Sequence, residues 1–188
     1  MKGWFKSIIA IAAAILLMVV FRNVALTVFT INGEGFEPEF IVGDRVLVNR
    51  WSYGLRTGFR SSKGQHSNGL FSYGRIGKQP VRRCDIVAYD DPTDSTHCRT
   101  LFGRVCALPG DTIRYYGRTI IVPSIDNCDD ADYYYITALS EKNPIDSRYL
   151  GFISEQYIIG RVTMTLYSLD PDKPAWKSIR ADRWFRSK

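Results

Sequence analysis

Apolar and polar positions follow one rhythm at the start of this chain and another after it. From Ile8 to Phe21 every residue is apolar, Ile-Ile-Ala-Ile-Ala-Ala-Ala-Ile-Leu-Leu-Met-Val-Val-Phe, with Lys2 and Lys6 before it and Arg22 after. No polar stripe marks a solvated face, which argues against a globular surface helix. The run is shorter than the roughly 20 residues that cross a bilayer. Trp4 and Phe5 extend it upstream, and Lys6 and Arg22 carry stems long enough to reach headgroups. A cleaved leader is the competing reading, but Arg22-Asn23-Val24 stands where a small-x-small cleavage site would follow. The pattern predicts an uncleaved membrane anchor over residues 1–27. Its basic end lies inside and the rest of the chain outside.

Beyond the anchor the period shortens. Val24 to Asn32 is β-branched and aromatic, and Arg45 to Asn49 alternates around Val46 and Val48. Asp85 to Tyr89, Tyr133 to Leu139 and Arg161 to Tyr167 carry further strand patterns. Thr112–Tyr116, Gly117-Arg118 and Thr119–Val122 spell a hairpin. Residues 54–79, rich in Gly, Ser, Lys and Arg, predict a long surface loop. Short strands with no helical period between them predict a mainly β, antiparallel, barrel-like domain over residues 28–170. In the tail, 171–188, Trp176, Ile179, Trp184 and Phe185 interleave with Lys177, Arg180, Arg183 and Arg186. That suits a basic amphipathic segment on anionic headgroups, or equally a short helix closing the domain.

Composition sharpens this picture in three places. The chain has 188 residues, enough for one core beyond the anchor. Its 11 Tyr and 10 Phe favour strands. The net charge of +6 is scattered rather than striped, so anionic lipid is a better partner than nucleic acid, and an ordinary solvated basic surface serves as well. Cys84, Cys98, Cys106 and Cys128 form no C-x-x-C pair, so neither a metal site nor a cofactor is expected. Cys106 lies in an apolar run and is expected to be buried. Cys84 falls at a strand start. Cys98 and Cys128, in polar loops, are the pair an extracytoplasmic domain would oxidise. His66 and His97 have polar neighbours and are expected in solvent.

Three segments carry the chemistry. They are Gly33-Glu34-Gly35-Phe36-Glu37-Pro38 with Gly43-Asp44 after it, Gly103-Arg104-Val105-Cys106-Ala107-Leu108-Pro109-Gly110-Asp111, and Asp146-Ser147-Arg148-Tyr149-Leu150-Gly151. In this order they resemble the bacterial signal peptidase I family, whose stretches run roughly G-x-S-M-x-P-T-L, K-R-V-x-G-L-P-G-D and G-D-N-x-x-N-S-x-D-S-R-x-x-G. The resemblance implies a β fold with its groove near a membrane. It also implies a Ser–Lys mechanism, in which a hydroxyl attacks a peptide carbonyl while a neutral lysine takes its proton.

Matched residue by residue, the resemblance places the nucleophile's position at Gly35 and the base's at Gly103. The orienting serine falls at Pro144, and the preceding Gly-Asp at Ala138-Leu139. Glycine supplies neither oxygen nor amine, and proline supplies no hydroxyl. Ser52, Ser140 and Lys142 are the nearest substitutes in sequence, and nothing desolvates that lysine. Glu34, Glu37 and Glu39 cluster; on a strand Glu37 and Glu39 would share a face, although solvated rim charges account for them better. The retained positions, Phe36, Pro38, Arg104, Asp146, Ser147 and Arg148, are structural or groove-lining in the family.

The expectation is a catalytically inactive signal peptidase homologue in a bacterial cytoplasmic membrane, single-pass, with its domain extracytoplasmic. It would bind signal peptides or exported preproteins, or regulate an active paralogue. An active serine endopeptidase with a displaced dyad is the other reading. The membrane segment argues against nucleic acid.

Overall fold

The computed structural model describes residues 2–187 except 34, 57–73, 95–98, 116, 128–130, 142–144 and 174–177. Helix α1, Lys2–Ala25, covers the apolar run. It ends later than expected, so the strand that follows starts at Leu26 rather than Val24. Ile8, Ile11, Ile15, Leu16 and Met18 are exposed on it. Among the described residues no helix is long and apolar enough to cross a membrane, so the expected span is not seen as such.

The rest is mainly β. The strands are β1 (Leu26–Thr30), β2 (Asp44–Asn49), β3 (Leu55–Arg56), β4 (Arg75–Ile76), β5 (Ile86–Asp90), β6 (Thr100–Ala107), β7 (Thr112–Tyr115), β8 (Arg118–Ile121), β9 (Tyr133–Ala138), β10 (Ile153–Ser154), β11 (Ile158–Ser168) and β12 (Arg186–Ser187). A one-turn helix, α2 (Ser147–Leu150), precedes β10. An antiparallel sheet runs in the order β1-β2-β11-β5-β6-β9-β10, with β12 on β11. The hairpin β7–β8 stands apart. Strands β3 and β4 pair across the ends of the expected 54–79 loop.

Alternation along the central strands makes two cores. Val87 and Tyr89 of β5 join Leu101, Val105, Ile136 and Ile158 in one cluster. Ile86 and Ala88 of the same strand join Phe102, Phe40, Val46, Val48 and Val162 in the other. Successive side chains point to opposite faces of a strand, so β5 and β6 are covered on both. The turn into β2 depends on Gly43, whose φ is +93°, because a Cβ there would strike the Leu169 carbonyl.

Among the described residues the C-terminus packs back on the domain, and its one helical piece is a 3-10 turn rather than an α-helix. Ile179 bridges to Leu169, a 3-10 turn spans Ala181–Arg183, and β12 pairs with Met164 and Thr165. Arg183, expected on a charged outer face, is buried against Asp44. The ion pair pulls the segment inward, while Ile179, Trp184 and Phe185 remain exposed. Trp176 and Lys177 lie outside the described residues.

Candidate functional site

The site is built around β6. Its residues Leu101, Gly103 and Val105 face one core and Phe102 the other. Gly103 pairs with Val87 on β5 and with Ala138 on β9. That position is closed. A Cβ on Gly103 would stand 2.5 Å from Ile136 Cγ2, 2.8 Å from the Thr137 carbonyl oxygen and 3.4 Å from Tyr89 Cε1. The Thr137 oxygen is backbone and cannot swing aside. Where the resemblance seats a lysine, Ile136 and Tyr89 fill the space.

The segment carrying Gly35 forms a turn over residues 35–39, closed by the Phe40 N–H donating to the Phe36 carbonyl at 2.9 Å. Phe36 stands edge-on to Phe102, centroids 5.5 Å apart, and Phe29 and Phe40 flank the same ring. Glu39 Oε1 accepts from Arg104 Nη2 at 2.8 Å. The turn is thus held by the residues on either side of Gly103. A side chain at 103 itself would leave β6 on the opposite face, toward Ile136. Pro38, joined to Glu37 by a cis bond, is exposed. The strand considered for Glu37 and Glu39 is absent, and Glu39 is an ion-pair partner rather than a solvated rim charge. Glu34 lies outside the described residues.

Asp146, Ser147 and Arg148 make a brace. The fully buried Asp146 caps α2 by accepting the Arg148 N–H at 2.8 Å. It also accepts from Arg148 Nε at 2.9 Å and from the Ala138 N–H at 3.0 Å. Ser147 Oγ accepts the Ile136 N–H at 2.9 Å. These bonds fix α2 to β9, the strand whose Ile136 closes the space at Gly103. Pro144 lies outside the described residues.

For a displaced dyad, Ser52 is half-buried in the 3-10 turn Arg50–Tyr53. Ser140 is half-buried, and Lys142 lies outside the described residues. Lys78 donates to Glu155 Oε2 at 2.7 Å and to Asp132 Oδ2 at 3.2 Å. Burial lowers its pKa, but those two carboxylates outweigh burial and hold the ammonium above its ordinary value. A general base needs the opposite shift.

Cys106 is exposed, not buried, because β6 turns Val105 and Ala107 inward and Cys106 outward. Cys84 is exposed at φ +70°, just before β5. Cys98, Cys128, His66 and His97 lie outside the described residues. Among the described residues no cluster of His, Cys, Asp or Glu is placed to hold a metal. Sequence reasoning missed Tyr89 and Ile136. Each sits in an alternating strand like any core residue, and only the pairing of β5, β6 and β9 brings them to one glycine.

The family model described as "Signal peptidase, peptidase S26" matches residues 2–126. Signal peptidase I of Buchnera aphidicola subsp. Acyrthosiphon pisum (strain APS) is 29% identical over 115 residues, covering 61% of this chain and 32% of that protein. The chain therefore spans about a third of the length of the curated relative it matches.

Proposed function

The chain belongs to the peptidase S26 signal peptidase family, and we propose that it is a membrane-attached member that keeps the scaffold without Ser–Lys hydrolysis. Its role is to bind signal peptides or exported preproteins, or to regulate an active paralogue, at the outer face of a bacterial cytoplasmic membrane. The observation that carries this reading is the packing at Gly103. An amine there has no room, since a first side-chain carbon already meets Ile136 and the Thr137 carbonyl. Gly35, matched to the nucleophile, has no hydroxyl. An acyl-enzyme needs that oxygen, and its formation near neutral pH needs a proton acceptor beside it.

Attachment is through α1. Its exposed residues are apolar from Ile8 to Met18, a surface that stays out of water in a bilayer. Val28 on β1 and Trp51 in the neighbouring 3-10 turn are exposed as well, which continues the apolar surface onto the domain and suits an interface.

The test uses the full chain in uncharged detergent, purified from a strain whose active signal peptidase has been depleted. A preprotein with an Ala-x-Ala site is expected to bind saturably and remain uncut. Cleavage that persists through purification and disappears on substituting one serine and one lysine of this chain would establish the displaced-dyad reading instead. No binding and no cleavage would leave the paralogue as the partner, to be sought by co-purification.

A further inference from the structure

A cleft of about 300 Å³ opens beside the Glu39–Arg104 ion pair, and Cys84, Asp85, Arg161 and Arg186 also line it. Its guanidiniums come from separate strands: Arg104 from β6, Arg161 from β11 and Arg186 from β12. Two carboxylates answer these three cations. Glu39 takes Arg104 at 2.8 Å, and Asp85 takes Arg161 at 3.3 Å. The other Asp85 oxygen accepts from the Tyr53 hydroxyl at 2.8 Å. The Arg186 guanidinium has no hydrogen-bond or ion-pair partner among the described residues. Among the described residues one positive charge is therefore uncompensated in a concave site, with a fork of N–H donors of the kind that matches phosphate oxygens.

We propose that this cleft binds a phosphate group, held by Arg186 with Arg104 and Arg161 beside it. The volume lies at the low end for ligand pockets, so it fits a small ester or a headgroup rather than a long peptide. Trp184 and Phe185, immediately ahead of Arg186, are both exposed. Aromatic side chains beside a phosphate-binding arginine suit a lipid interface. The phosphate therefore comes either from an anionic headgroup or from a soluble ester.

The cleft carries its own reporter. Cys84 is an exposed free thiol that lines it, and Cys106 is an exposed free thiol that does not. The full chain in uncharged micelles is alkylated with iodoacetamide, and each cysteine is followed by mass spectrometry. Inorganic phosphate, glycerol phosphate or micellar phosphatidylglycerol is titrated in. Alkylation of Cys84 should slow about tenfold once the ligand exceeds its dissociation constant about tenfold, with Cys106 unaffected. Arg186→Gln should abolish the protection, and Arg118→Gln, on the separate β7–β8 hairpin, should keep it. Protection by glycerol phosphate identifies a soluble ester as the source, and protection by phosphatidylglycerol alone identifies a headgroup. Equal slowing at both cysteines, unchanged protection in Arg186→Gln, or protection by an acidic peptide but by no phosphate overturns the proposal.

Discussion

The Arg183 guanidinium closes on the Asp44 carboxylate with two near-parallel contacts, Nη2 to Oδ2 at 2.7 Å and Nε to Oδ1 at 3.1 Å. Both side chains are nearly or wholly buried. The pair joins the last turn of the chain to the first residue of β2. Removing one partner leaves a buried charge alone, so Arg183→Met should cost about 3–5 kcal/mol. Replacing both Arg183 and Asp44 with apolar residues should recover most of that loss. Urea unfolding of the two variants, followed by tryptophan fluorescence, checks the order.

Gly103 sets the second prediction. Gly103→Ala should destabilise by about 1–3 kcal/mol through overpacking. Combined with Ile136→Ala, the loss should fall short of the sum of the two by about 0.5 kcal/mol or more. Gly103→Lys with Gly35→Ser should process no preprotein, because the amine has no seat. Adding Ile136→Ala to that pair removes the side-chain contact but leaves the Thr137 carbonyl oxygen in place, so it too should process no preprotein, and a cleavage assay of both variants checks this.

Tyr89 offers a substitution that gains stability. Its hydroxyl is buried and has no hydrogen-bond partner among the described residues. Leaving such a group unpaired costs about 1–3 kcal/mol. Tyr89→Phe should therefore raise the unfolding midpoint, and a fall would place an unseen partner at that hydroxyl.

Alkaline pH should weaken the fold. Burial, then the charges of Asp146 and Asp91, pushes the Tyr89 phenol well above its ordinary pKa of 10.0. Burial, then the hydrogen bond to Asp85, does the same for Tyr53. Both folded values are raised, so their contribution is complete below the unfolded pKa and is lost as pH rises above it. Two phenols that ionise only when unfolded give a slope of about −2.7 kcal/mol per pH unit above about pH 10. Tyr89→Phe should halve the slope, read from unfolding midpoints at stepped pH.

The brace on β9 predicts a local effect. Ser147→Ala leaves the buried Ile136 N–H without its acceptor, costing about 1–3 kcal/mol. Asp146→Ala removes a helix cap and the acceptor for Ala138 together. Amide exchange at Ile136 and Ala138 should speed up in these variants before exchange in β2 does.

The strands at Arg45–Asn49, Tyr133–Leu139 and Arg161–Tyr167 were legible because alternation is local, with each residue's neighbours two places away declaring the buried face. Thr112–Val122, through its Gly117-Arg118 turn, and Asp85–Tyr89, as a short apolar run buried on both faces, were also legible. Strand β6 was not. Gly103 and Arg104 interrupt its apolar pattern, and the strand becomes evident only between β5 and β9. The tail misled for a similar reason. Arg183 among aromatic and basic residues looks like a surface cation until Asp44, far away in sequence, is placed beside it.

From the sequence alone it followed that no hydroxyl stands at 35 and no amine at 103, since side-chain identity needs no fold. The order of the three motifs and the apolar N-terminal run were equally plain. Whether position 103 faces open space or packed core was decided by the tertiary structure. That outcome depends on how β5, β6 and β9 register against one another, and cross-strand register is set by long-range pairing that no short stretch of sequence contains.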